Sequence, residues 1–572
     1  MAKRAKKDIS GNADTSSVWW EQRPWMPWLL IVCASAMAHI WCLGSQFYLD
    51  DIWQIRDNTV VREGAFLRQT EQMWTYFWYV MEARASGMSP VAFHAVNWLL
   101  HTGVACVLYA SARDYLRGRG PRGAALFGAV LFVVHPLGSE IPNYARAQDL
   151  AWVTLFSLTA AWLFFRFLRD GGWAYVIGTG LCIVGAAISK GPGLIHALMM
   201  TGVVGLAFLE PRHLQDLRRM RVPLAGAACI VGLVLWWLGC WQHWLMLLSR
   251  LSQPRIVGFG FTVCRVFWEF AWRAVVPVQL SADHHIAETL QRPGAGLWGI
   301  GDSVAWWAAV GIACFTACSL VLAWRKSTRL VGVCMFLFAG AMLMRVFYYV
   351  AEFMPEYRIY PGLPWFCLGA AILLAQGWRG LGGNSGRVPA VVLVLVFAAL
   401  SAKRSFLWHD LDRLMADVLE QYPTQARAVW ILQQRDLEEG RWQAVIDRHR
   451  TVFQDVRRRF LEENRNLKPD RELPTGHLAL AEVGCGGIYA QALARQRGPQ
   501  AGLNEINRLE DYMKRLQLDP LAHSLHWSYF YHAKGLVLET AGDYKTAAEF
   551  LRMGKVANTR KLDLERVEAK IR

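Results

Sequence analysis

"WLLIVCASAMAHIWCLGSQFYLDD", residues 28–51, is an apolar run that ends on two adjacent aspartates. A helix crossing a bilayer needs roughly 20 predominantly apolar residues, and this run supplies them. Carboxylates at a membrane surface are costly to desolvate, and where they persist they mark function. The stretch therefore reads as a first membrane span, with Asp50 and Asp51 standing where it leaves the bilayer.

Similar runs recur along the first 404 residues, near 91–112, 122–137, 150–167, 173–189, 191–209, 222–240, 302–323, 330–350, 360–377 and 388–403. Between them lie short basic clusters: "KRAKK" at 3–7, "RDYLRGRGPR" at 113–122, "RFLRD" at 166–170, "PRHLQDLRRMR" at 211–221, "WRKSTR" at 324–329 and "RGLGGNSGR" at 379–387. With a cytoplasmic N-terminus all six fall on the cytoplasmic side, which is the positive-inside pattern of a multi-pass protein. Residues 405–572 hold 26 basic and 24 acidic side chains, so the excess positive charge belongs to the apolar part. Nucleic-acid binding would need a basic face on a folded domain, and none is visible. The twelve cysteines lie mainly inside apolar runs and form neither a disulfide framework nor a metal-binding C-x-x-C pair. The basic start leads through a polar tail into membrane and is expected to be retained, not cleaved as a signal peptide.

One further stretch, "VGFGFTVCRVFWEFAWRAVV" at 257–276, is apolar enough to cross. Arg265, Glu269 and Arg273 would line one face of a helix there, which favours a helix at the interface or packed on the bundle. The fold expected is all-α: a polytopic bundle of about eleven spans over residues 1–404, then a soluble helical domain over 405–572. Eleven crossings put that domain on the non-cytoplasmic side. Within it, "HAKGLVLETAGDYKTAAEFLRMG" at 532–554 has the small and aromatic spacing of a tetratricopeptide-like hairpin, and "LEEGRWQAVIDRHR" at 437–450 is a looser echo.

The polar residues of the non-cytoplasmic turns are the candidates for chemistry. They are Asp50, Asp51, Asp57 and Asn58 after the first span, then His135, Glu140, Arg146 and Asp149 in "HPLGSEIPNYARAQDL" at 135–150. Lys190 follows in "SKGPG", then "PVQLSADHHI" at 277–286, and Glu352, Glu356, Arg358 and Tyr360 in "AEFMPEYRIYPGLP" at 351–364. His94, Asn97 and His101 share one face of the second span and read first as interhelical hydrogen-bonding groups. Acids and bases gathered at one membrane face suit sugar transfer from a lipid phosphate. A carboxylate takes the acceptor hydroxyl's proton, worth roughly 10²–10⁴ in rate, and cations stabilise the departing phosphate.

The order "YLDDxxxIxxN", "HPxxxExxxxxRxxDL", "SK", "PxxLSxDH" and the Arg358–Tyr360 string resembles the GT-C membrane glycosyltransferases. The similarity is greatest to the transmembrane O-mannosyltransferases with tetratricopeptide repeats (TMTC) and their bacterial relatives. It covers about residues 40–200 and 275–375, plus "RSFLWHDLDRLMADVLEQYP" at 404–423. The resemblance implies a GT-C-type domain whose donor is a polyprenyl-phosphate sugar and whose acceptor is a hydroxyl of an exported protein held by the C-terminal repeats. It implies Asp50 or Asp51 as base, with Glu140 and Asp149 in a second acidic loop. Arg146, Lys190, Arg358 and Tyr360 would serve the donor phosphate, and Asn58, His94, Asp149 and Glu356 would support the acceptor side. The chain departs from the family at Glu356, one residue further from Arg358 than usual, and at Lys190, which Gly-Pro follows where relatives have Glu. The participation of a divalent metal stays open.

A single displacement with one base would invert the anomeric centre. The location expected is a bacterial inner membrane, with the active site and C-terminal domain periplasmic. Transfer to a glycolipid or polysaccharide is the alternative acceptor chemistry. A transporter or flippase would place its acids inside the spans, and a scaffold would leave them merely solvated.

Overall fold

The computed structural model describes residues 23–117, 120–121, 123–210, 221–237, 245, 255–284, 303–344, 354–378, 387–422, 425–450, 475–515, 524–554 and 559–571. The basic runs at 3–7, 211–220 and 379–386, and Glu352, lie outside them. Among the described residues every regular element is helical. The chain is all-α, as its apolar periodicity predicts.

The first part runs through α1 (Met26–His39), α2 (Met73–Ser86), α3 (Pro90–Leu116), α4 (Ala124–Val133), α5 (Gln148–Asp170), α6 (Trp173–Ser189) and α7 (Gly193–Phe208). It continues with α8 (Arg221–Trp237), α9 (Arg255–Val275), α10 (Ser303–Trp324), α11 (Arg329–Leu343), α12 (Leu363–Trp378) and α13 (Arg387–Leu407). Among the described residues five segments are long and apolar enough to cross a membrane: Met26–Gly44, Pro90–Leu116, Ala145–Asp170, Ser303–Trp324 and Val388–Leu407. A sixth apolar segment is bent: α4 and Pro136–Asn143 pass the same test only when taken together, across a 54° bend. The bend falls at "HP", where proline removes a backbone donor and ends the helix. The shorter apolar helices α6, α7, α11 and α12 pack among these. Long apolar helices in this number mark the chain as a membrane protein.

The 257–276 segment folds as α9 and presses Val263, Val266, Phe267, Phe270 and Ala274 into the core. Its contacts keep it along one face of the bundle. Phe261 meets Trp306 at the start of α10, with ring centroids 4.4 Å apart, and Trp268 donates to the Ala308 carbonyl at 3.0 Å. At its far end the Ala274 carbonyl lies 3.0 Å from His135 Nε2. Arg273 and Glu269, a turn apart, pair at 2.6 Å, which neutralises both charges where the helix is half-buried.

After the last span, α14 (Leu411–Gln421) and α15 (Ala426–Glu438) begin inside the same core. Trp408, Leu414, Met415, Val418, Ala428 and Leu432 are buried there with the bundle residues. Beyond them α16 (Thr475–Arg497), α17 (Pro499–Arg515), α18 (Ser524–Thr540), α19 (Tyr544–Met553) and α20 (Thr559–Ile571) stack in antiparallel pairs. The 532–554 stretch is a helical hairpin, as its spacing predicts. Asp543 caps α19 by accepting from the Thr546 amide, and Gly535 lets the two helices close up, since a Cβ there would sit 2.7 Å from Leu551.

Candidate active site

The polar turns at Asp50–Asp51, residues 135–149, Lys190, 277–284 and 356–360 all meet at one end of the bundle. The short turn from Ile141 to Arg146 is fixed first. Asn97 on α3 donates its side-chain amide to the carbonyls of Ile141 and Tyr144, each at 2.9 Å. His94, one turn earlier, sets its ring between the carbonyls of Pro142 at 3.0 Å and Gln46 at 3.4 Å. The interhelical reading of these two residues holds, and it gives them a purpose. They hold the turn that carries Arg146.

The two aspartates divide. Leu49 adopts φ +52, a backbone region that a side chain bearing Cβ enters rarely and that concentrates at functional sites. Past this reversal Asp51 turns inward and is fully buried. Its carboxylate accepts from the backbone amides of Arg146 at 2.7 Å and Tyr48 at 3.2 Å, which ties the first loop to the second. Asp50 stays partly exposed. It accepts from the Trp53 indole at 3.3 Å and pairs with Arg427 of α15 at 3.3 Å.

Burial pushes the Asp51 carboxyl up to about 8, with the two amides opposing. A folded-state value above the unfolded one contributes stability at low pH that is lost as pH rises through the folded value. Thermal stability is therefore expected to decline from about pH 5 to about pH 9, and Asp51→Asn should flatten that decline. Melting curves of both proteins across this range check it; equal slopes would remove Asp51 as the cause.

Asp149 sits in the first turn of α5 with its side chain fully buried. Arg146 Nη1 lies 2.5 Å and Lys190 Nζ 2.6 Å from the same oxygen, Oδ2, while Oδ1 has no hydrogen-bond partner. Two cations on one carboxylate leave a positive charge uncompensated within the cluster. Lys190 is presented by the break between α6 and α7. Thr75 of α2 donates to the Ser189 carbonyl at 2.8 Å, and Gly193 permits the close return, since any Cβ there would collide with the Ala186 carbonyl. Burial lowers the Lys190 ammonium from its ordinary range, and Asp149 opposes this.

Glu140 lies across from this cluster and accepts from the Tyr357 amide at 2.7 Å. The Tyr357 ring beside that bond has two cations near it. Lys190 Nζ and the Arg358 guanidinium are each 5.7 Å from its centroid, within the range of a cation–π attraction. Arg146, Lys190 and Arg358 are thus brought together, with Asp149 between the first two and Asp51 holding the backbone of one.

Other candidates go elsewhere. Tyr360 is fully buried and its hydroxyl meets His101 Nδ1 at 2.8 Å, inside the bundle. Asn58 caps the short helix Thr59–Glu63, accepting from the Val60 amide at 2.9 Å. Glu356 is a buried knot: it accepts from the Ser281 amide at 2.7 Å, faces His284 Nε2 at 2.8 Å and pairs with Arg404 at 2.6 Å. His284 in turn meets the Tyr422 hydroxyl at 2.8 Å. Burial alone would raise the Glu356 carboxyl, but Arg404 and His284 hold it below its ordinary value. Glu356→Ala strands Arg404 in the interior, so a loss of about 3–5 kcal/mol of stability is expected in detergent melts; a loss under about 1 kcal/mol would contradict this role.

Sequence reasoning passed over Tyr357, Arg404 and Arg427. Tyr357 lay inside the quoted "PEYRIYPGLP", and Arg404 opened a quoted segment. Nothing in the sequence brings Arg427 to Asp50. Among the described residues no three His, Cys, Asp or Glu side chains gather as a metal-holding group.

No protein-family profile matches the chain. Among curated proteins it is similar to human protein O-mannosyl-transferase TMTC1, 31% identical over 150 residues, which cover 23% of this chain and 17% of that protein. It is also similar to mouse TMTC1, 30% identical over 171 residues, covering 25% and 17%. Protein O-mannosyl-transferase F38B6.6 of Caenorhabditis elegans is 21% identical over 459 residues, covering 73% of this chain and 62% of the relative. The chain thus matches less than two thirds of the length of each of these relatives, and its likeness to the TMTC-type family is broad at low identity.

Proposed function

We propose that the chain is a membrane glycosyltransferase that moves a sugar from a polyprenyl-phosphate donor to a hydroxyl group of an exported protein. The observation that carries this reading is the cluster of Arg146, Lys190 and Arg358 at one end of an apolar bundle, with the partly exposed carboxylate of Asp50 next in the chain to the Asp51 that holds the Arg146 backbone. The names of the similar proteins support the same class of reaction. In this scheme Asp50 accepts the proton of the acceptor hydroxyl as its oxygen attacks the anomeric carbon. The bond from that carbon to the phosphate oxygen breaks, and the configuration inverts. The departing phosphate keeps the electron pair, and the cationic cluster offsets its growing charge. Asp51 and Glu140 act as positioning residues, each holding a backbone amide of the cluster.

The face carrying these groups would be periplasmic in a bacterial inner membrane. The helical pairs of residues 475–571 would act as tetratricopeptide-like repeats that hold the protein acceptor, since stacked helix pairs offer an extended concave surface. Because α14 and α15 share the bundle's core and Arg427 reaches Asp50, a clean truncation leaves them in place. Deleting residues 475–572 is expected to lower transfer to a full-length protein acceptor by tenfold or more, through lost tethering. Transfer to a short hydroxyl peptide at high concentration should survive. Assays with a synthetic polyprenyl-phosphate sugar, on a truncated protein that extracts as a single folded species, decide it. Equal loss on both acceptors would make the region part of the active site.

A further inference from the structure

At the end of the bundle opposite Asp50, the ends of α3, α7 and α12 and the start of α11 enclose a cavity of about 660 Å³. Helix α3 alone is about 40 Å long from its Pro90 end, so this cavity and the candidate active site are separate places. Its apolar wall includes Phe208 and Ile372, and Lys326, Arg329 and Glu210 supply its charges. Tyr115 also lines it. That residue is 2% exposed, its ring stacks on Phe208 with centroids 5.6 Å apart, and its hydroxyl has no hydrogen-bond partner among the described residues. Buried phenol hydroxyls nearly always find one. Among the described residues Lys326 and Arg329 likewise have no ion pair or hydrogen bond. A buried donor and two unpaired cations thus border one apolar-walled cavity.

We propose that this cavity binds the phosphate headgroup of an anionic membrane lipid, a site that goes beyond the glycosyltransferase reading and does not depend on it. Lys326 and Arg329 face the phosphate, the latter from the first turn of α11, where the helix N-terminus also favours an anion. The Tyr115 hydroxyl donates to a headgroup oxygen, and Phe208 and Ile372 pack on the glycerol and the first methylenes. Among the described lining residues two cations stand against one carboxylate, a balance suited to a singly charged phosphodiester. The apolar wall and the setting argue for a lipid and not a soluble phosphate. Trp324, two residues before Lys326, is 87% exposed at the end of α10, the position of an interfacial tryptophan. Basic pockets between membrane helices hold lipid headgroups in this way.

The test uses the full chain in phosphatidylcholine nanodiscs titrated with phosphatidylglycerol, read by native mass spectrometry and melting temperature. Saturable phosphatidylglycerol binding that raises the melting temperature is expected. Inorganic phosphate and glycerol phosphate alone should give no rise. The double variant Lys326→Gln/Arg329→Gln should weaken binding at least tenfold. Tyr115→Phe should weaken it several-fold while leaving the lipid-free melting temperature unchanged or higher, because the lost hydroxyl has no partner among the described residues. Equal phosphatidylglycerol binding in wild type and both variants would overturn the proposal. So would a full response to inorganic phosphate, which would assign the cavity to a soluble anion.

Discussion

Asp50→Asn is expected to cut sugar transfer by roughly 10²–10⁴ while the protein inserts and melts as the wild type does. The amide keeps the size of the carboxyl and an oxygen for the Trp53 indole. It forfeits the charge that would take the acceptor's proton. Structural loss should be small, because the Asp50–Arg427 pair is partly exposed and such pairs contribute about 0–1 kcal/mol. Asp51→Asn should behave differently. Both oxygens of Asp51 already accept backbone amides, and an amide in that place turns a donor toward one of them. The expected loss there is in the order of the loop and only secondarily in rate. Kinetics at saturating donor, alongside melting curves, separate the two. Normal transfer by Asp50→Asn with a folded but inactive Asp51→Asn would exchange their roles.

The second large effect is expected at Asp149. Asp149→Ala leaves Arg146 and Lys190, both held within hydrogen-bond distance of a single oxygen, facing each other in a buried site. Removing one partner of a buried ion pair costs about 3–5 kcal/mol, and here the repulsion of two cations adds to it. Stability and transfer should both fall. The double variant Asp149→Ala/Lys190→Met removes the stranded ammonium and should recover much of the stability without recovering transfer. A coupling of about 0.5–3 kcal/mol between the two positions is the expected signature. An Asp149→Ala protein as stable as wild type would refute the cluster as described.

Much of the site was legible because hydropathy and charge act over long stretches. The positive-inside expectation sets the turns away from the basic clusters apart, and those turns hold Asp50, Glu140, Arg146, Asp149, Lys190 and Arg358. The structure brings those turns together. What the sequence could not supply was the division of labour. Asp50 and Asp51 are neighbours, yet after the left-handed backbone at Leu49 one is partly exposed and the other fully buried. Glu356 looked like a misplaced motif residue because its partners His284 and Arg404 are 72 and 48 positions away. Tyr360 follows Arg358 by two residues, yet the turn at Glu356–Ile359 sends it into the bundle beside His101. The C-terminal hairpin was readable because its devices are local, an Asp543 cap and a glycine at the helix crossing. The contact of Arg427 with Asp50 spans 377 positions, and no local pattern announces it.

The proposed activity is tested most directly by intact mass. Purified full-length chain is incubated with a synthetic polyprenyl-phosphate sugar and a hydroxyl-bearing protein acceptor, and the acceptor is weighed. A mass increase of one sugar residue is expected, removed by Asp50→Asn and accompanied by release of polyprenyl phosphate. An acceptor unchanged in mass with folded wild-type protein, across mannosyl, glucosyl and pentosyl donors, would contradict it.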